Sequence, residues 1–201
     1  MNVLFTCAGR RTYLLKYFKE NLSEGDKVVA TDMQLSAPAL QVADVKTWSA
    51  ETPVLYTLKV TSFNKKGQTE QTAIRIGFRT VHVEKGQFFV NGQPVLSKGV
   101  NRHEIDPYKG YVVSEDDMVR DILIMKKLNV NAVRTCHYPD DPRWYELCDS
   151  AGLYLFDEAN IESHQYYYGK ESTSHPEEWK NAHVARNMEM VRARINHPSV
   201  C

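Results

Sequence analysis

Between residues 96 and 195 one pattern occurs three times: a short apolar segment ending in polar residues, then an amphipathic helix. LSKGVNRHE precedes SEDDMVRDILIMKKLN, and NAVRTCHYP precedes DPRWYELCDSAG. LYLFDEANIESH precedes, after a loop, EWKNAHVARNMEMVRARI. Strands and helices alternating with one polarity build a parallel sheet with right-handed crossovers. Such a sheet concentrates its chemistry at the carboxyl ends of its strands. Here those ends carry His103-Glu104, His137-Tyr138 and Glu162-Ser163-His164. The first helix has a clear start, because Ser114 and Asp117 have capping-box spacing, and Met118, Ile122 and Met125 share one face.

The preceding residues read differently. Residues 54–62 and 70–78 alternate apolar and polar with period two around FNKKGQT, which predicts a β-hairpin with one solvated face. In VHVEKGQFFVNGQPV, Asn91-Gly92 is a strong hairpin signal. These are β-sandwich elements. At the amino end, NVLFTC reads as a strand and Ala8-Gly9-Arg10-Arg11 as a turn. Tyr13, Leu14, Tyr17, Phe18 and Leu22 recur at helical spacing, and KVVATD reads as a second strand. That order predicts a short Rossmann-like βαβ segment.

Charge excludes some roles. With 25 basic and 25 acidic residues there is no global field to draw in nucleic acid or an anionic membrane. No apolar run approaches the roughly 20 residues of a membrane span, and the amino terminus lacks the charge order of a secretory signal. Four cysteines without CxxC spacing read as reduced thiols, so a cytoplasmic location is expected.

Glu162 and His164 stand two apart, so in extended chain they face one side and suit a divalent cation. The spacing alone also allows a Glu162–Arg pair and a loop-capping His164, because a metal needs more ligands than two. His103 and His137 suit hydrogen bonding to a sugar hydroxyl or a phosphate, or acid–base work, or plain backbone satisfaction. Asp157 and Glu158 are adjacent and face opposite ways, so they make no acid/base pair; Asp157 is expected to pair with Arg134. Gly9, Arg10 and Arg11 suit a phosphate, though they lack GxGxxG spacing. Tyr166, Tyr167 and Tyr168 read either as an exposed loop or as a sugar-stacking surface.

Residues 46–200 resemble the β-galactosidases of glycoside hydrolase family 2. The resemblance rests on TWSAETPVLYTL, GFRTV, FFVNGQPV, KGVNRHE, the run from DDMVRD to WYELCD, GLYLFDEANIESH and RINHPSV. It implies a TIM-barrel domain preceded by β-sandwich domains, and retaining hydrolysis of β-galactosides with bound Mg²⁺ and Na⁺. It also implies that His103 and His137 contact the galactose, and that Glu162 and His164 are Mg²⁺ ligands. The family's acid/base glutamate lies directly after the segment corresponding to NHPSV, and its nucleophile lies further downstream. The resemblance thus implies a truncated chain that does not act alone.

Residues 1–44 resemble instead the pre-ATP-grasp domain of ATP-grasp ligases, which makes the chain a chimera. The expected class is α/β: a partial TIM barrel of about three βα units, preceded by β-sandwich strands and the βαβ segment. The divisions fall at 1–44, 45–80 and 81–201. A β-galactoside is the expected ligand, with nucleotide binding through Gly9–Arg11, or a non-functional fusion product, as the alternatives. An open three-stranded sheet further implies self-association or a complementing chain.

Overall fold

A computed structural model describes residues 2–7, 11–16, 42, 44–63, 69–163 and 172–201. The chain divides into two compact units, residues 1–45 with 56–76 and residues 46–55 with 77–201.

The first unit is a four-stranded antiparallel sheet in the order β2-β1-β3-β4. Its strands are β1 (Asn2–Cys7), β2 (Arg11–Lys16), β3 (Tyr56–Phe63) and β4 (Thr69–Ile76). The hairpin expected around FNKKGQT is present as β3 and β4. The helix expected from Tyr13 is not: Arg11–Lys16 is a strand, with Leu4 opposite Leu14 and Phe5 opposite Tyr13. A short apolar run carries no decisive period, and pairing with β1 settles its state. The remainder of that helix and the KVVATD strand lie outside the described residues.

The second unit holds two small sheets. β5 (Val81–Glu84), β6 (Gln87–Val90) and β7 (Gln93–Pro94) form an antiparallel meander. Two two-residue turns join them, and each needs positive φ at both positions. Asn91-Gly92 has φ of 51° and 75°, and Lys85-Gly86 has 50° and 77°. The second sheet is parallel, in the order β8 (Gly99–Arg102), β9 (Ala132–Thr135), β10 (Tyr154–Phe156). Helix α1 (Glu115–Lys127) connects β8 to β9, α2 (Pro142–Ala151) connects β9 to β10, and α3 (Glu177–Arg194) follows. Beyond α3, Val200 makes a parallel bridge to Leu155. The described parallel strands form an open sheet.

The predicted capping box of α1 is formed, with Ser114 and Asp117 bonding each other's backbone, and Met118, Ile122 and Met125 are buried. They pack with Val133, Trp144, Tyr145, Cys148, Leu153 and Leu155 between helices and sheet. Successive residues of a strand face opposite ways, so Ala132 and Tyr154 point from the same strands into a second cluster. That cluster contains Trp48, Ala50 and Val90, with Phe88 and Val95 against it. Ala132 and Tyr154 are the first residues of β9 and β10. The meander therefore covers the amino ends of the parallel strands and leaves their carboxyl ends to the site.

Gly152 ends α2 in the left-handed conformation, with φ of 74°. A Cβ there would meet the Ala50 carbonyl oxygen at 2.3 Å. Strain and clash act together, so Gly152→Ala is expected to cost about 1–3 kcal/mol or more. A urea titration checks this: the midpoint should fall with the slope unchanged.

Candidate functional site

Three strand ends converge. β8 leads into His103 and Glu104, β9 into Cys136, His137 and Tyr138, and β10 into Asp157 and Glu158. Pairing continues past the strands, because the Cys136 N–H donates to the Arg102 carbonyl at 3.0 Å. This sets the rings of His103 and His137 together, with centroids 5.5 Å apart and planes at 78°. Tyr138 lies 6.2 Å from His103 on the same side, and the exposed Tyr111 lies 6.1 Å from Tyr138.

Beneath the histidines sits a buried cation. Arg102 donates from Nη1 to Asp140 Oδ2 at 2.6 Å and from Nε to Asp121 Oδ2 at 3.0 Å. Its guanidinium lies 3.9 Å from the centre of the Trp144 ring. Glu104 Oε1 stands 3.5 Å from the same Nη1, while Glu104 Oε2 accepts the Asp141 N–H at 2.9 Å. Burial works against the charge on Arg102, but Asp140 and Asp121 more than offset it and raise its pKa. Burial pushes Asp140 up to about 7, against the pull of Arg102 and with the repulsion of Glu104.

Beside the histidines, Arg134 donates from Nε to Glu158 Oε1 at 2.6 Å, and Glu158 Oε2 is 3.1 Å from His137 Nδ1. The sequence pairs Arg134 with Asp157; the structure pairs it with Glu158. The register explains the correction. Phe156 stands opposite Arg134, so residue 158 shares the face of Arg134 and residue 157 takes the other. There Asp157 accepts from Tyr145 Oη at 2.6 Å and Thr135 Oγ1 at 3.1 Å. Burial raises the pKa of Asp157 despite those hydrogen bonds, and burial together with Asp157 holds the Tyr145 hydroxyl protonated.

Of the predicted residues, His103 and His137 come together. Glu162 is exposed beyond β10, and His164 and Tyr166–Tyr168 lie outside the described residues. So do Gly9 and Arg10, whereas Arg11 opens β2. Among the described residues, the metal-ligating groups that gather are His103, Cys136 and His137, whose donor atoms lie within 4.8 Å of one another; Glu162 is in no such group. The described part of the expected magnesium site is thus one exposed carboxylate, and no step here runs through that ion. Cys136 was not legible as a site residue. Its only signal was its position at a strand end beside His137.

Paired histidines at the carboxyl ends of parallel strands, over a sealed amino end, define one side of a TIM-barrel active face. Residues 81–201 match the model of the TIM-barrel domain of glycosyl hydrolases family 2. The chain belongs to that family. Residues 3–52 match the model of the N-terminal domain of PylC-like proteins. A β-galactosidase of Vibrio vulnificus is 49% identical over 162 residues, covering 80% of this chain. The chain spans 16% of the length of that relative. A GH2 β-galacturonidase from Eisenbergiella tayi, solved with galacturonate, is similar over 99% of this chain and 33% of its own, with TM-score 0.77 and 25% identity. A β-glucuronidase from Ruminococcus gnavus, solved with D-glucuronic acid, gives TM-score 0.77 and 26% identity over 99% of this chain and 30% of its own.

Two outcomes follow from the buried pair. Arg102→Met, which leaves Asp140 buried without its counter-charge, is expected to cost about 3–5 kcal/mol in chemical denaturation. The folded-state pKa of Asp140 lies above its unfolded value of 3.8, so the folded state holds the extra proton between there and about 7. The contribution of Asp140 to stability is greatest below that window and is lost as pH rises through it. Asp140→Asn should remove this downward slope, measured as the difference in unfolding free energy between the two proteins across pH.

Proposed function

We propose that this chain supplies the sugar-contacting half of a β-galactosidase site. His103 and His137 hydrogen-bond the hydroxyls of a terminal β-galactosyl unit. The meeting of these two rings at 5.5 Å over the strand ends carries the reading. Tyr138 and Tyr111 extend the surface, and aromatic faces suit the C–H groups of a pyranose. The names of the relatives support galactosides, while the solved neighbours are a β-galacturonidase and a β-glucuronidase bound to uronic acids.

Retaining hydrolysis needs two carboxyls about 5–5.5 Å apart across the scissile bond. Glu104, Asp157 and Glu158 are instead held by Arg102, by Tyr145 with Thr135, and by Arg134 with His137. We therefore assign them positioning roles and place the acid/base and nucleophile outside them. In this reading the 201 residues bind a galactoside without turning it over. The Mg²⁺ expected at Glu162 and His164 belongs to the same proposal. Cys136, Cys148 and Cys201 are free thiols, which supports a cytoplasmic location. Nucleotide binding at Gly9–Arg11 has the match over residues 3–52 in its favour.

Isothermal titration with a non-hydrolysable thiogalactoside tests the sugar reading. Binding is expected, weakened roughly tenfold in His103→Gln and in His137→Gln by loss of one hydrogen bond. A chromogenic galactoside should not turn over until a chain carrying the rest of the barrel is added. Titration with ATP and Mg²⁺ giving heat, and the galactoside none, would reverse the order of the two readings.

A further inference from the structure

We propose that His103, Cys136 and His137 form a zinc site, with ligands other than the Glu162 and His164 expected for Mg²⁺. The donors are one thiol and two imidazoles, all within 4.8 Å of one another. That set suits a borderline-soft ion such as Zn²⁺ and not Mg²⁺, which takes oxygen ligands. Bond lengths of about 2.3 Å to sulfur and about 2.0–2.1 Å to nitrogen put tetrahedral ligands roughly 3.5 Å apart, so the donors must close by about an ångström. His103 is exposed and free to make that movement, while Cys136 is held by the core at 1% exposure.

The surroundings fit a ligand set. His137 Nδ1 lies 3.1 Å from Glu158 Oε2 and 3.2 Å from Arg134 Nη2, and Arg134 in turn holds Glu158. A carboxylate on the ligating imidazole is the usual outer partner of a metal histidine. The Cys136 Sγ donates to the Arg102 carbonyl at 3.3 Å, and that carbonyl also accepts the Cys136 N–H. When zinc binds, the S–H proton leaves to solvent as the S–Zn bond forms, and the carbonyl keeps its backbone donor. Three protein ligands leave the fourth position to water. Because the same histidines face the sugar, zinc and a galactoside exclude each other, although zinc binding does not depend on the sugar reading.

Titration of the full chain with Co²⁺, read by absorbance, tests the site. One equivalent is expected to give a thiolate-to-cobalt charge-transfer band in the near ultraviolet, which Zn²⁺ removes and excess Mg²⁺ leaves. The band should vanish in Cys136→Ser and persist in Cys201→Ser and Glu162→Gln. In Glu158→Gln affinity should fall by about 10–100-fold. His103→Gln changes only an exposed side chain and should also abolish the band, with circular dichroism unchanged. Absence of the band in the unmodified chain, or its survival in Cys136→Ser or His103→Gln, overturns the proposal.

Discussion

The candidate site stands on Arg102. This guanidinium is 5% exposed, yet it keeps its charge because Asp140, Asp121 and the Trp144 face surround it. Removing such a cation from water costs several kcal/mol, so every partner must be in place for the fold to tolerate it. Those partners come from different elements: Asp121 and Trp144 from the two helices, Asp140 from the segment after β9. One side chain thus fixes both crossover helices against the sheet. Its own carbonyl holds the backbone and thiol of Cys136, and through them the position of His137 relative to His103. The imidazole pair is a consequence of that buried ion cluster.

The opposite end of the sheet is treated in the reverse way. Trp48, Phe88 and Val90 cover the first residues of β9 and β10 with apolar surface and a single indole donor, which finds the Asp149 carbonyl at 2.8 Å. One end of each strand is dry and closed, and the other is charged and open. Side chains alternate along β9 and β10, so a three- or four-residue strand serves the helix core, the lower cluster and the site in turn. Very short strands suffice because each residue has a separate task.

Much of this was legible because it is periodic. The first two strand–helix units, the capping box at Ser114, the α1 core face and the Asn91-Gly92 turn are local signals, and each is realised; in the third unit β10 ends at Phe156, short of Glu162, and the helix expected to be amphipathic, α3, has no buried residue. The pairing of Arg134 was not legible. It depends on register, and only when Phe156 is seen opposite Arg134 does residue 158, and not 157, become the partner. Cys136 was invisible for a related reason: its closeness to His103 is a contact between strands, which spacing along the chain does not encode. Lys85-Gly86 was missed although its signal was local, since lysine at positive φ is tolerated in a tight hairpin without being favoured there.

The amino end shows how far context overrides pattern. Residues 3–52 match PylC-like proteins, and the helical spacing from Tyr13 agreed with a βαβ opening. Yet β1 is an inner strand with β2 on one edge and β3 on the other, both antiparallel. A βαβ unit needs a parallel sheet built outward from its first strand. Here no edge of β1 is left for one. Once β3, from the β-sandwich part of the sequence, pairs with β1, residues 11–16 satisfy their backbone most directly by returning along the remaining edge. Six residues with an ambiguous apolar pattern then follow the sheet and not the spacing.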